Sequence, residues 1–245
     1  TISANNITGG VTTGVGIIGA ATTTDAPNDI TIAKNVAGVS VAAAGKITGD
    51  VSVAGANINI GKTATIGAAG STLYGVNVVN GANDIEGKVT VGGVGINIGK
   101  DAVQVGGDNT SVLAGVHVES TRDIKGAVSV ADGGNVGITI GQGSTVVNGA
   151  ITGVNVKAAQ DIGNTVTVGT VSIDTGRDAL SVSDGKDVTG TLIVAGRDIT
   201  NTVKAGVGGT TTITVGRDSK VGNTAGTNVA GIEIESKAGD IKGAL

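Results

Sequence analysis

Aspartate is the residue type in this 245-residue chain whose spacing most suggests a chemical role. A row of carboxylates can bind calcium, or can supply the acid and base that hydrolyse a polysaccharide. Aspartate also suits a tight corner of the backbone, because its side chain accepts hydrogen bonds from nearby backbone amides. The aspartates at issue recur at nearly even intervals and are Asp84, Asp101, Asp123, Asp161, Asp178, Asp198, Asp218 and Asp240.

The surroundings of these aspartates favour a structural corner row over a catalytic or calcium site. Arg or Lys often precedes the aspartate, which balances its charge. The calcium-binding repeat Gly-Gly-x-Gly-x-Asp is represented only by the fragment Gly106-Gly107-Asp108. We therefore predict no metal and no cofactor, with calcium at the aspartate row as the alternative.

For the other motifs with catalytic potential, the neighbouring residues argue against a functional site. Residues 14–19 match the dinucleotide-binding pattern Gly-x-Gly-x-x-Gly, but residues 20–27 do not open a helix. His117 lies between two valines, so strand alternation predicts a solvated, outward side chain, and no cysteine or second histidine exists to share a metal with it. Tyr74 is a lone ring at an expected corner, which predicts local packing rather than a sugar-binding platform. The sequence therefore predicts no catalytic site and no enzyme.

The aspartates belong to an internal repeat. Gly-Arg-Asp places Asp178, Asp198 and Asp218 at intervals of 20 residues, and the same slot extends back to Asp29 with a mean step of about 19 residues. Each step is interpreted as one coil, which gives about twelve coils of roughly 19–20 residues. A second period of about twice that length predicts that odd and even coils differ; it is marked by Gly-Val-x-Val or a variant at Gly38, Gly75, Gly115, Gly153 and Gly231.

Between the aspartates, apolar and polar residues alternate as they do in β-strands, for example in residues 89–91 and 96–98. The 45 glycines exclude helix for most of the chain, and the lack of Phe, Trp, Met and Cys favours a narrow core. The predicted fold is all-β: one right-handed parallel β-helix (β-solenoid) over residues 1–245, roughly 55 to 60 Å long. Its predicted inward residues are Ile85, Val89, Val91, Ile96, Ile98, Ile124, Val128, Val130, Ile138, Ile140, Ile162, Val166 and Val168.

Charge and hydropathy exclude two classes of partner. The net charge is −4, so the chain lacks the basic surface that supplies most nucleic-acid affinity. No apolar run approaches the roughly 20 residues of a membrane helix. We expect neither nucleic-acid binding nor membrane insertion.

The corner phrases resemble those of a known family. Residues 121–124 (Thr-Arg-Asp-Ile), 176–180 (Gly-Arg-Asp-Ala-Leu) and 195–199 (Ala-Gly-Arg-Asp-Ile) are similar to the Ala-Gly-x-Asp-Ile phrase of haemagglutinin repeats in filamentous-haemagglutinin-like secreted exoproteins. The resemblance covers most of the chain at the level of the repeat and implies a β-helical bacterial surface protein of the autotransporter-passenger type. It implies an extracellular or cell-surface location and no particular receptor.

The two ends of the chain suggest self-assembly. Residues 239–245 stop inside the phrase that residues 122–130 complete, and Thr1-Ile2 after Leu245 would complete it. We therefore expect a junction between copies at Thr1, Ile2, Ile241 and Leu245.

The expected function is that of a structural subunit of an extracellular filament or surface rod, whose partners are copies of itself joined head-to-tail. The alternative is a β-helical passenger or stalk segment of a secreted haemagglutinin-type adhesin that binds cell-surface glycans or host surfaces. Ice binding and action on polysaccharide rank below these. The threonines near Thr210-Thr211-Thr212 do not repeat at one slot, and the coils carry no long loops to wall a cleft.

Overall fold

The computed structural model describes residues 1–4, 7–9, 11–19, 31–32, 35–61, 65–66, 72–101, 104–105, 111–146, 149–179, 181–182, 187–221 and 228–245. Within these ranges the regular structure consists of β-strands without any helix. The strands are β1 (Ile2–Ala4), β2 (Val11–Gly19), β3 (Thr31–Ile32), β4 (Val36–Ala43), β5 (Val51–Ile60), β6 (Thr65–Ile66), β7 (Thr72–Asn80), β8 (Val89–Ile98), β9 (Gln104–Val105), β10 (Ser111–Ser120), β11 (Val128–Ile140), β12 (Thr145–Val146), β13 (Gly149–Ala158), β14 (Val166–Thr175), β15 (Ser181–Val182), β16 (Val188–Ala195), β17 (Val203–Ala205), β18 (Thr211–Val215), β19 (Lys220–Val221) and β20 (Val229–Ser236).

The long strands stack into two parallel sheets. The first sheet has the order β1-β4-β7-β10-β13-β16-β20, and the second has the order β17-β14-β11-β8-β5-β2 with β18 beside β14. Short strands pair between turns as β3 with β6, β9 with β12, and β15 with β19. Each strand therefore pairs with its counterpart in the next turn, which confirms the predicted all-β parallel solenoid. Its right-handed coiling stays a prediction.

The length of one turn differs from the prediction. A column of isoleucines forms parallel bridges from turn to turn at intervals of 37 to 42 residues. The predicted coil of 19–20 residues is therefore only half a turn, and the expectation of about twelve coils is wrong. The seven strands of the first sheet span about 29 Å, rather than the expected 55 to 60 Å. The isoleucines are Ile7, Ile47, Ile85, Ile124, Ile162, Ile199 and Ile241.

The cause of this error is that similar phrases serve two different corners of one turn. The first corner, which contains the isoleucine column, leads from the first sheet to the second. The second corner follows the second sheet and leads through a short strand back to the first. Gly-Arg-Asp occurs at both, so Asp198 lies at a first corner while Asp178 and Asp218 lie at second corners. The longer period, which Gly-Val-x-Val marks, corresponds to the length of one turn.

The interior is narrow because glycines of the first sheet face side chains of the second. A Cβ at Gly75 would overlap Cγ1 of Val94, and a Cβ at Gly115 would overlap Cγ1 of Val136. These close contacts between glycine and valine divide the core into two clusters of buried side chains. One cluster lies beside the isoleucine column and the other beside the second corner. Valine, isoleucine and leucine suffice to fill such columns, each contributing about 1.5–3 kcal/mol on burial. All thirteen residues predicted to point inward are buried.

Candidate functional surfaces

The eight aspartates form two rows rather than the single row that the sequence predicted. The rows lie at the two corners because the half-turn spacing alternates between them. The first-corner row precedes the isoleucine column and consists of Asp84, Asp123, Asp161, Asp198 and Asp240. The second-corner row follows the strands of the second sheet and consists of Asp101, Asp178 and Asp218, with Gly143 in the equivalent slot of one turn.

In the first-corner row, the first four carboxylates each accept a hydrogen bond from the backbone of the next turn. Oδ1 of Asp123 accepts the backbone N–H of Asp161 at 3.0 Å, and Oδ1 of Asp161 accepts that of Asp198 at 3.0 Å. Oδ1 of Asp198 accepts the N–H of Asp240 at 2.8 Å, and Asp84 accepts that of Asp123 at 3.3 Å. The row is therefore a ladder that fixes the stacking of successive turns.

Cations on the following turn neutralise this ladder. Nζ of Lys125 lies 2.5 Å from Oδ2 of Asp84, and Nζ of Lys242 lies 2.6 Å from Oδ2 of Asp198. Burial of Asp84 favours its neutral form, but the hydrogen bonds from Lys125 and Asp123 outweigh burial and hold the pKa of Asp84 below its ordinary value. The hydrogen bond from Lys242 likewise lowers the pKa of Asp198.

One turn carries the same ion pair with its charges exchanged. Lys46 precedes Ile47 and so stands in the aspartate slot, while Glu86 stands in the slot that Lys125 occupies one turn later. Nζ of Lys46 lies 2.6 Å from Oε1 of Glu86. Three pairs of successive turns thus carry opposite charges at this corner, in either order.

The second-corner aspartates have a different role. Asp101, Asp178 and Asp218 have φ values of 50°, 53° and 63°, and Gly143 has a φ of 72°. This left-handed conformation is accessible to Gly and tolerated by Asn and Asp. The carboxylates of Asp178 and Asp218 are about half to two-thirds exposed and lie beside the arginine that precedes each of them. The left-handed backbone conformation therefore accounts for aspartate at this corner.

Neither row presents a metal site in the part of the chain that the structure describes. No group of three or more Asp, Glu, His or Cys side chains there could hold a metal ion. The fragment Gly106-Gly107-Asp108 lies outside the described residues. Residues 14–19 lie within β2, whereas a dinucleotide-binding glycine pattern forms the turn that follows a strand; residues 20–27 lie outside the described residues.

The prediction of a solvated His117 is wrong. His117 does point away from the solenoid core, but it is only 6% exposed, and its ring stacks on that of Tyr74 with centroids 4.9 Å apart and planes 7° from parallel. Nε2 of His117 lies 3.0 Å from Oε2 of Glu119. Tyr74 lies inside β7 rather than at a corner. Sequence reasoning missed this contact because a coil of about 20 residues places the two rings two turns apart.

These rings lie at a cavity of about 670 Å³ on the outer face of the first sheet, which Asn35, Ser40 and Asn77 also line. The hydrogen bond from His117, opposed by burial and assisted by Lys157, lowers the pKa of Glu119 to about 2. Nζ of Lys157 lies 2.9 Å from Oε1 of Glu119. The cavity therefore holds an ionised carboxylate whose charge the protein balances.

The C-terminal turn leaves core positions uncovered. Ile199 is fully buried, whereas Ile241 in the same column is 39% exposed. Val188 is 1% exposed, whereas its strand partner Val229 is 53% exposed. Leu245 is 75% exposed. The inward columns are thus open at this end.

The predicted continuation from Leu245 into Thr1-Ile2 is wrong in register. The carbonyl of Ala244 accepts the N–H of Val203, so Leu245 begins a new layer of the second sheet. Ile2, however, pairs with Val41 in the first sheet and does not occupy the slot of Val130. An alternating apolar segment as short as this is compatible with either sheet, so its sequence alone does not show which sheet it joins.

Comparisons with known proteins find no matching family model, no matching curated protein and no matching solved structure. The β-solenoid confirms the predicted β-helical repeat, and no comparison supports membership of the haemagglutinin-repeat family. No helix among the described residues is long and apolar enough to cross a membrane.

Proposed function

We propose that this chain is a structural subunit of an extracellular rod or filament that assembles head-to-tail, and that it is not an enzyme. The observation that carries the proposal is the open core of the C-terminal turn. Val215, Val229, Ile232 and Leu245 belong to columns that are buried in the preceding turns and are 42–75% exposed here. Covering such side chains contributes about 1.5–3 kcal/mol each, which favours stacking of a further coil on this turn.

The strand edges supply the register of this contact. β20 pairs with β16, and β1 pairs with β4, leaving each with one edge that no described strand occupies. Both strands belong to the first sheet, so Ile2 of a second copy falls opposite Ile234, and Ser3 opposite Glu235. Stacking of β1 on β20 preserves parallel pairing and gives a repeat of about 34 Å per subunit.

Engineered cysteines test this register directly, because the chain contains no native cysteine. Ser3→Cys combined with Glu235→Cys should form intermolecular disulfides on mild oxidation, since paired Cα atoms lie within the range of about 4.4–6.8 Å that a disulfide needs. A ladder of covalent multimers on a non-reducing gel is expected. The matched control, Ser3→Cys with Glu233→Cys, is displaced by two residues and should cross-link far less.

A charge placed in the open core tests the interface itself. Ile234→Lys should abolish rods seen by negative-stain electron microscopy, because Ile234 packs against the core and lies opposite Ile2 of the next copy, so the change puts an ammonium group among apolar side chains. Glu235→Lys on the outward face of the same strand is the control and should leave assembly intact. A chain that stays monomeric at high concentration, with no cross-linked ladder, would contradict the filament proposal.

The alternative is a stalk or passenger segment of a haemagglutinin-type adhesin. One observation favours it: Leu245 begins a new layer of the second sheet over Val203, and stacking β1 directly on β20 provides no strand from the second copy to continue that layer over β18. A further coil of the same polypeptide would fill that layer. In that case the isolated chain should remain monomeric and bind cells or immobilised glycans. The extracellular location in both proposals is supported by the resemblance of the corner phrases.

A further inference from the structure

The cavity on the outer face of the first sheet has a chemistry that the rod function does not use. Tyr74, Asn77, His117 and Glu119 lie on two successive turns, and Asn35 and Ser40 on the turn before them. Its volume of about 670 Å³ is within the range of small-molecule sites.

Two buried atoms of this lining lack a hydrogen-bond partner among the described residues: Nδ1 of His117 and Oδ1 of Asn77. In neutral His117, Nε2 must carry the proton, because the Glu119 carboxylate that it faces can only accept. Nδ1 is then an acceptor, as is the carbonyl oxygen of Asn77. A buried acceptor without a donor costs about 1–3 kcal/mol, so these two atoms favour a ligand that brings several donors.

The aromatic pair adds a shape requirement. His117 covers one face of the Tyr74 ring. Ala37, the strand partner of Tyr74 on the preceding turn, is small and lines the cavity with Ser40, which leaves space beside the other face. A ligand that enters there must present a flat apolar surface to the ring together with hydroxyl donors at its edge.

The charge of the cavity disfavours a simple cation. Glu119 is already bound by His117 at 3.0 Å and by Lys157 at 2.9 Å. A ligand ammonium group would compete with Lys157, whereas a hydroxyl group can donate to the remaining lone pairs of the carboxylate.

We propose that the cavity beside Tyr74 and His117 binds a pyranose sugar, with a ring face against Tyr74 and hydroxyl groups donating to His117 Nδ1 and Asn77 Oδ1. A free sugar and the end of a glycan chain both present this ring, so the chemistry recognised is the same. The site lies on the outer face of the first sheet, so a rod would carry one copy per subunit.

Saturation-transfer-difference NMR on the purified chain tests the proposal. The probes are D-glucose, D-galactose and N-acetyl-D-glucosamine, each also as its methyl β-glycoside, with glycerol and choline as probes that lack a sugar ring. At least one sugar should show transfer to its ring C–H protons, with a Kd on the order of 1 mM. Binding of a glycoside identifies a glycan end as a ligand, and binding of the free sugar alone identifies a soluble ligand.

Variants assign the binding to this cavity. Tyr74→Ala and His117→Phe should each weaken binding about tenfold or more, because the first removes the stacking face and the second keeps a ring but removes Nδ1. Tyr74→Phe keeps the stack and should retain binding. The matched control is Asn155→Ala, which lies in the same column as His117 but one turn beyond the cavity.

Circular dichroism of each variant establishes that the solenoid is intact, and Tyr74→Phe with His117→Phe keeps the test usable if Tyr74→Ala unfolds. Absence of transfer to every sugar would overturn the proposal. Binding that His117→Phe leaves unchanged, or binding of choline in preference to the sugars, would overturn it equally.

Discussion

The two corners of the solenoid use aspartate for two unrelated reasons. At the first corner the side chain is the functional part: Asp84 is 4% exposed, and its carboxylate joins the backbone of the next turn to a lysine. At the second corner the backbone is the functional part: Asp178 has a φ of 53° and a half-exposed carboxylate. Replacements within each row follow this division, since Lys46 occupies the first slot and Gly143 the second.

The comparison shows that a repeated residue need not mean a repeated role. Gly-Arg-Asp at residues 176–178 and 196–198 reads as one motif, yet only the second aspartate joins the ladder. Removing the carboxylate should therefore destabilise the first corner more, and introducing a residue that disfavours positive φ should destabilise the second corner more.

The largest effect is expected from Asp84→Ala. The change removes a buried carboxylate, leaves the N–H of Asp123 without its acceptor and frees Lys125, which should destabilise the chain by about 2–3 kcal/mol. The midpoint of urea unfolding measures it. The control is Asp240→Ala in the last turn of the same row, where the carboxylate is 77% exposed and a loss under about 0.5 kcal/mol is expected. Equal losses at both positions would contradict a ladder role for Asp84.

Protonation should reproduce part of that effect. The pKa values of Asp84 and Asp198 are lower in the folded chain than in the unfolded chain, so both groups stabilise the fold above the ordinary aspartate range. That contribution is lost as the pH falls through their folded pKa values, below about pH 4. The melting temperature of the wild type should therefore fall more steeply there than that of Asp84→Asn. Parallel curves would show that Asp84 does not contribute.

Much of the fold could be predicted from the sequence, because period-two alternation specifies strands and their buried faces. All thirteen predicted inward residues follow from that pattern alone. The turn length could not be read from Gly-Arg-Asp, because the phrase satisfies both corners. The glycine column, with Gly75, Gly115 and Gly153 each facing a valine of the other sheet, carried the correct period.

The cavity was beyond sequence reasoning for a related reason. Tyr74 and His117 meet because Tyr74 pairs with Ala114, three residues before His117 on the next turn. That contact depends on the register of a 40-residue turn. With the register known, an outward Tyr and an outward His on successive turns would have been a recognisable signal.

A β-branched residue in the second corner should have an intermediate effect. Asp178→Val forces a side chain that strongly disfavours positive φ into a left-handed conformation, which should cost about 1–2 kcal/mol. Asp178→Gly is the matched control and should be within about 0.5 kcal/mol of the wild type, since Gly143 occupies the same slot. Urea unfolding of both variants measures the difference. A large loss in Asp178→Gly would mean that the carboxylate itself stabilises this corner.

The smallest effect is expected from exchanging the charges of the ion pair in the turn that already reverses them. Lys46→Glu alone places two glutamates at a slot where Lys46 and Glu86 now lie 2.6 Å apart, and Glu86→Lys alone places two lysines there. Each single change should cost about 0.5 kcal/mol, because Lys46 is about half exposed and Glu86 about a third. The double variant restores opposite charges in the order that Asp84 and Lys125 use, so it should recover most of the loss. A double-mutant cycle from urea unfolding measures the coupling. Additive losses would show that Lys46 and Glu86 do not interact, and that the ladder depends on the hydrogen bonds that the backbone donates to aspartate rather than on alternating charge.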